Sequence, residues 1–363
     1  MALVPRSNGS TVQSSEFRLQ TVEMHTGGEP VRIIVSGYPI LEGKTVLEKM
    51  TFAKKNEDHL RKMLILEPRG HRCMYGAVLV TPRHPLAHLG VFFMHNNGYG
   101  TMCGHGVISL CRFAIEYGYV TPIEPETEVN IECPCGLVRA LVEYTGGKTG
   151  DVRFESVTAF VSHQDVEVEV PDYGKVSVDV SYGGSFFAIV DASDLGINVS
   201  TSPVNVISKA ASAVFDAVRG TITIRHPSND DLSFICGVVI TDGNDEWSEQ
   251  PTLNISVFGD EKVDRSPCGS GLTSRLAVQY HKRQISIGQK RVFQNGKTGS
   301  QFTGTVLRES TVGKHKGIIV EVKGRGHFCG EATFIREADD VFGEGVSNQV
   351  KDTRWIWRMQ QPR

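Results

Sequence analysis

The chain has no run approaching the roughly 18 consecutive apolar residues of a membrane-spanning helix, and its first 30 residues lack a charged start followed by an apolar core. The expectation is a cytoplasmic protein without a membrane partner. Charge of one sign is also lacking: 38 Lys and Arg stand against 41 Asp and Glu, a net of −3, which speaks against a nucleic-acid surface. With 22% charged and 40% hydrophobic residues, disorder and a fibrous repeat are excluded. Cysteine is sparse. Eight in 363 residues, at 73, 103, 111, 133, 135, 236, 268 and 329, lack the spacing of a disulfide framework and read as reduced thiols. Paired Cys or His at zinc spacing, a nucleotide-binding glycine fingerprint and a pyridoxal-lysine environment are missing too, so neither metal nor cofactor is expected. Cys133-Pro134-Cys135 is too tight for a zinc loop and reads as packing at a strand edge.

What is present is glycine, 38 residues of it, punctuating short strand-like runs. These include Val31–Val35, Gly76–Val80, Gly90–Met94, Val129–Ile131 and Leu137–Val142, then Val152–Phe154, Val166–Val170, Val176–Val180 and Phe186–Val190. Helical periodicity is confined to Leu47–Leu64, Val107–Tyr117, Val204–Val218 and Leu272–Lys282. The class is α+β, and the length suits two lobes. Leu3-Val4-Pro5-Arg6-Ser7 reads as a protease-cleavable expression linker within residues 1–15. The first lobe is expected over 16–150 with a return at about 331–345, and the second over 151–330, with Thr145–Asp151 as the linker. From Asp339 onward the chain turns polar and is given no structure, and its last part, 346–363, is a polar tail that carries Trp355 and Trp357.

One repeat carries chemistry. Cys103-Gly104-His105-Gly106-Val107-Ile108-Ser109 matches Cys268-Gly269-Ser270-Gly271-Leu272-Thr273-Ser274 in Cys, Gly, Gly, an apolar residue and Ser, 165 residues apart. Each copy follows a strand-rich stretch and precedes a helical pattern, which sets each cysteine at a helix mouth. There the dipole and unpaired N–H groups favour thiolate, and bare glycine amides suit a carboxylate. A single copy would read as a buried, inert thiol; two copies read as opposed thiols across a cleft. Disulfide exchange and structural zinc both require closer spacing, which leaves proton transfer at carbon, one thiol removing an α-proton while the other reprotonates the opposite face.

Met102-Cys103-Gly104-His105 and Asp264-Arg265-Ser266-Pro267-Cys268-Gly269-Ser270-Gly271 resemble the two signature segments of the proline racemase family. Met24–Pro30, Glu67–His71, Tyr182–Phe187 and Gly299–Gly304 resemble further family segments in family order, covering about residues 17 to 338. The resemblance implies a diaminopimelate-epimerase-like fold of two pseudo-symmetric lobes, each a curved, mostly antiparallel sheet around a central helix. It implies Cys103 and Cys268 as the acid/base pair, and Gly104, His105, Gly269 and Ser270 as holders of the substrate carboxylate. Asp264 falls where relatives bind the ring nitrogen, and Phe302 where they pack on the pyrrolidine ring. It also implies a cofactor-independent homodimer acting on proline or hydroxyproline. Plainer readings stand beside these: His105 as a cap, Asp264 paired with Arg265 or Arg69, Phe302 as core.

Within the family, animal trans-3-hydroxy-L-proline dehydratases resemble this chain in their HTGGEP-type start and in Val129–Val138, but carry Thr at the second acid/base position. A thiol there can reprotonate a carbanion where a hydroxyl of far higher pKa cannot. Cys268 therefore favours a racemase or epimerase acting on proline or 4-hydroxyproline, with the dehydratase as the alternative. A non-catalytic imino-acid-binding protein ranks third, because both thiols are present.

Overall fold

The computed structural model describes residues 17–259 and 261–346; the expression linker and the tail from 347 onward, with Trp355 and Trp357, lie outside the described residues. The chain runs β1 (Phe17–Thr26), β2 (Glu29–Ser36), α1 (Val46–Asn56), α2 (Asp58–Ile65), β3 (Tyr75–Val80), β4 (Leu89–His95) and the short β5 (Gly98–Gly100). Then come α3 (Gly104–Glu116), β6 (Glu126–Cys133), β7 (Gly136–Thr145) and β8 (Lys148–Glu155). It continues through β9 (Ala159–Val170), β10 (Gly174–Tyr182), β11 (Phe186–Asp191), α4 (Val204–Thr221), β12 (Ile235–Thr241) and β13 (Thr252–Phe258). Last are α5 (Gly269–His281), β14 (Lys290–Asn295), β15 (Gln301–Val312), β16 (His315–Gly324) and β17 (Gly326–Arg336). Among the described residues no helix is long and apolar enough to cross a membrane.

One order of ladders occurs twice. β1–β2 is antiparallel, β2–β3 parallel, β3–β4 antiparallel and β4–β6 parallel, after which β6, β7 and β8 form an antiparallel meander. From β10 the same order returns: β10–β11, β11–β12, β12–β13, β13–β14, then the meander β14, β15, β16. Each parallel step needs a crossover, and the helices supply them: α1 with α2, α3, α4 and α5. The two series are knitted at their edges, since β17 returns to β1, while β16 pairs with both β8 and β9.

Burial explains which helices are central. In α3, Val107, Ile108, Leu110, Cys111, Phe113 and Ala114 are wholly buried, so all but the His105, Ser109, Arg112 and Glu116 stripe of the helix is apolar and packed in the core. α5 is as buried although it carries Arg275 and Gln279. The Arg275 guanidinium is satisfied by Asp245 Oδ1 at 2.8 Å, Thr252 Oγ1 at 2.8 Å and the Leu253 carbonyl at 3.0 Å, which makes its burial tolerable.

Three expectations change. Leu47–Leu64 is two helices that break at Glu57, because no apolar residue lies between Ala53 and Leu60 to hold the stripe against the core. Thr145–Asp151 is no linker but the β7–β8 hairpin, turning at Gly146 and Gly147 with φ of +60° and +76°, so a boundary at 150/151 would cut through β8. The stretch from Asp339 to Val346 is docked: Arg69 pairs with Asp340, its Nη1 donates to the Phe342 carbonyl at 3.2 Å, and Val346 bridges to Glu67.

Candidate active site

Cys103 is the N-cap of α3 and Cys268 the N-cap of α5, and the two helices are 13 residues each. Their mouths face one another. A Cβ placed on Gly104 would lie 3.8 Å from the Gly269 Cα, and the reverse distance is the same, so the glycines let two helix N-termini approach as larger side chains would not. The fourth residues of the motifs are glycine for packing: a Cβ at Gly106 would lie 2.6 Å from Phe93 of β4, and one at Gly271 2.9 Å from Ser256 Oγ of β13. Both motifs thus rest on the same strand of the repeated ladder.

The environments of the thiols differ. Cys103 Sγ accepts from the Gly106 N–H at 3.4 Å, lies 3.0 Å from His105 Nδ1 and hydrogen-bonds the Tyr75 hydroxyl. Cys268 has a φ of +64°, a left-handed conformation rare for a side-chain-bearing residue, and Ser270 Oγ lies 3.7 Å from its sulfur. Burial pushes the Cys103 thiol up to about 12, against the pull of Gly106 and Tyr75; it also pushes the Cys268 thiol well up, and the Asp264 charge adds to the rise in both. The expectation of thiolates at helix mouths is thus reversed. The sulfurs are so enclosed, at 9% and 4% exposure, that lost solvation outweighs the dipole and its N–H donors.

His105 sits in the first turn of α3 with its ring edge-on to Tyr75 at 4.9 Å. Burial lowers its pKa to about 4, so the ring is neutral, and it hydrogen-bonds the Pro30 carbonyl. Asp264 is 3% exposed. Its Oδ1 accepts from the Ser266 N–H at 2.8 Å, and burial, with the Glu29 charge second, raises it to about 7. Of the two alternative pairings of Asp264, the one with Arg69 is not formed, because Arg69 is committed to Asp340. Ser266 Oγ in turn accepts from the Cys268 N–H at 3.1 Å, and Asn295 Nδ2 holds the carbonyls of Asp264 and Ser266 at 2.9 and 3.0 Å, fixing the loop that delivers Cys268. Gly269 and Ser270 open α5, against which Gly183 of the β10–β11 turn packs its backbone. Phe302, on β15, is 2% exposed and lies over Gly324 and Ile108 in the core that also holds Cys103.

Sequence reasoning did not single out three members of this cluster. Glu29 is 1% exposed, 2.8 Å from Lys262 Nζ, and accepts from the Arg265 N–H at 3.1 Å. Lys262 lies under the Tyr75 ring, 5.6 Å from its centre. Burial opposes its charge, but Glu29 raises its pKa, so it stays an ammonium. The signal for Glu29 lay in the Met24–Pro30 segment, whose β1–β2 turn sets Gly27 against Ser266; an isolated Lys and Tyr carried none. Among the described residues no group of three or more His, Cys, Asp or Glu is placed to hold a metal ion.

Two facing helix mouths, each capped by a buried thiol, with the buried Asp264 carboxyl near enough to act on both thiols, form a site chemically able to move protons at a small anionic molecule. The chain belongs to the proline racemase family, whose profile matches residues 21–347, and it is an enzyme. It is 53% identical over 322 residues to a trans-L-3-hydroxyproline dehydratase of Saccoglossus kowalevskii, covering 89% of this chain and 99% of that one. It is 41% identical over 328 residues to a 3-hydroxyproline 2-epimerase of Burkholderia multivorans, covering 90% and 97%. Its structure is similar, with a TM-score of 0.82 and 25% identity over 91% of this chain and 95% of the other, to a hydroxyproline epimerase from Agrobacterium vitis with bound trans-4-hydroxy-L-proline.

Proposed function

We propose that the enzyme acts at the α-carbon of trans-3-hydroxy-L-proline, Cys103 removing the α-proton and Cys268 returning one to the opposite face, which makes it a 2-epimerase. The observation that carries this reading is the thiol at both helix mouths. In it the repeated ladders form two lobes, as in diaminopimelate epimerase, with the site between them. The N–H groups opening α3 and α5, with His105 and Ser270, hold the substrate carboxylate and take up charge that develops as the α-proton leaves. Asp264 faces the ring nitrogen: a carboxyl that titrates near neutrality accepts a cation at little cost. Phe302 supplies apolar wall. The relatives named for 3-hydroxyproline move the substrate away from the proline or 4-hydroxyproline expected of Cys268 alone.

A second reading, dehydration of the same substrate, rests on the 53% identity to a dehydratase. The first step is shared. Cys103 takes the α-proton, and the carbanion then expels the 3-hydroxyl instead of meeting the Cys268 proton. Proton NMR in deuterated water separates the readings, with trans-3-hydroxy-L-proline, trans-4-hydroxy-L-proline and L-proline in separate tubes. Deuterium at the α-carbon with inversion of the first supports the epimerase. Its conversion to a pyrroline carboxylate establishes the dehydratase, and inversion of only the second or third moves the substrate.

A further inference from the structure

The turn between β1 and β2 touches the entries to both α3 and α5. On the α3 side Thr26 is wholly buried; its Oγ1 donates to the His105 carbonyl at 2.8 Å and, with its proton so engaged, accepts from Ser109 Oγ at 2.7 Å. Ser109 closes the first Cys-Gly motif, and its counterpart Ser274 is met by the matching turn of the second ladder series, where a Cβ on Gly183 would lie 2.7 Å from Ser274 Oγ. The β1–β2 turn also reaches the other motif. A Cβ on Gly27 would lie 3.0 Å from the Ser266 Cβ, and one on Gly28 3.4 Å from the Arg265 Cβ. The Glu29 carboxylate then accepts from the Arg265 N–H at 3.1 Å and lies 2.8 Å from Lys262 Nζ. Four consecutive residues thus grip the first turn of α3 and the loop that delivers Cys268.

We propose that Thr26–Glu29 is a clasp that sets the separation of the two helix mouths, with Thr26 and Glu29 as positioning residues for both thiols. The inference rests on the reading of Cys103 and Cys268 as partners at one α-carbon. Two sulfurs on opposite faces of a carbon work together only while the distance between them is held, and a shift of about an ångström in either is costly in rate. Across the gap itself the contact is glycine to glycine, Gly104 against Gly269, which resists closer approach but not separation. The clasp resists separation, through the Thr26 hydrogen bonds on the α3 side and the buried Glu29 contacts to Arg265 and Lys262 on the α5 side.

The test needs no turnover. The intact enzyme and its variants are treated with iodoacetamide under native conditions, quenched at intervals, digested with trypsin, and read by tandem mass spectrometry at Cys103, Cys111 and Cys268. Thr26→Val keeps the shape of the side chain and removes both hydrogen bonds, while Gly27→Ala forces a methyl to 3.0 Å from the Ser266 Cβ at a φ of +60°. Both changes are uncharged and leave the charges around the thiols in place. Each should speed alkylation of Cys103 and Cys268 together by about tenfold, the factor that one or two net hydrogen bonds contribute to a local opening. Cys111, wholly buried in the body of α3, should keep its wild-type rate, and Thr26→Ser, which retains the hydroxyl, should react as the wild type does. Four results overturn the proposal: unchanged rates in both variants; Cys103 alone accelerated by Thr26→Val, which confines the turn to α3; Cys111 rising in step with the other two, which makes the turn an ordinary part of the core; or Thr26→Ser as fast as Thr26→Val. If the thiols open as expected and Thr26→Val still inverts trans-3-hydroxy-L-proline at the wild-type rate, the clasp stands and the two-thiol reading fails.

Discussion

Asp264 offers a quantitative test of how the site is poised. Its carboxyl is 3% exposed and titrates near 7 because burial, and then the Glu29 charge, penalise its ionised form. A carboxyl raised in the folded state keeps its proton while the unfolded chain loses one. Its contribution to stability is therefore whole below the ordinary pKa of 3.8, and falls as pH rises toward about 7, where the folded group also ionises. A shift of about 3 units at about 1.4 kcal/mol each gives on the order of 4 kcal/mol lost across that window. Asp264→Asn keeps an oxygen to accept from the Ser266 N–H and removes the titration. The variant should gain on the wild type by a few kcal/mol between about pH 4 and about pH 7, and hold that offset above. Urea unfolding midpoints of both proteins across this range measure it. The same offset at every pH would refute the reasoning, because a purely steric effect of the amide has no reason to follow pH.

Lys262→Met strands the Glu29 carboxylate, 1% exposed, and should cost about 3–5 kcal/mol in urea unfolding, much of it recovered by adding Glu29→Gln; no recovery would break the pair's claim. Gly106→Ala drives a methyl to 2.6 Å from the Phe93 ring and should cost about 1–3 kcal/mol by the same assay, with Phe93→Leu relieving it. Tyr75→Phe deletes a hydrogen bond that favours the Cys103 thiolate, so the acid limb of kcat/KM should move to higher pH; an unmoved limb removes Tyr75 from the base's surroundings. Cys268→Thr should turn trans-3-hydroxy-L-proline from inversion to pyrroline formation in the NMR assay, and unchanged inversion would refute the role given to that thiol.

The catalytic motifs were legible because their residues are neighbours in the chain and the motif occurs twice; Cys103 and Cys268 cap α3 and α5 as the pattern requires. The strands followed from local alternation for the same reason. Less was legible where the cause lies across the fold. Lys262 matters only because β1–β2 folds Glu29 onto it, and Tyr75 only because β3 sets its ring against His105. The thiol pKa values went the other way from expectation because helix dipoles act within a turn, whereas enclosure is a property of everything packed around the sulfur. The Gly146-Gly147 pair looked like a linker because composition does not tell a flexible joint from a tight hairpin, and only the β7–β8 register does.

The two thiols are alike in sequence and unlike in setting, and the difference orders the chemistry. Cys103 has the Gly106 N–H, the Tyr75 hydroxyl and the Lys262 ammonium on the side of its anion; Cys268 has N–H and hydroxyl help from Gly271, Ser270 and Ser256; the Asp264 charge opposes both. The Lys262 ammonium beside Cys103 favours the proposed assignment, with Cys103 as the base and Cys268 as the acid. In the proposed reaction abstraction by Cys103 is the common first step, and the fate of the carbanion is decided by what Cys268 delivers before the 3-hydroxyl departs. A residue that retains its proton strongly is a slow acid, so on the proposed reading inversion and elimination compete. The proposal makes the group at position 268 the one that sets the outcome, without altering the other residues it assigns to the substrate.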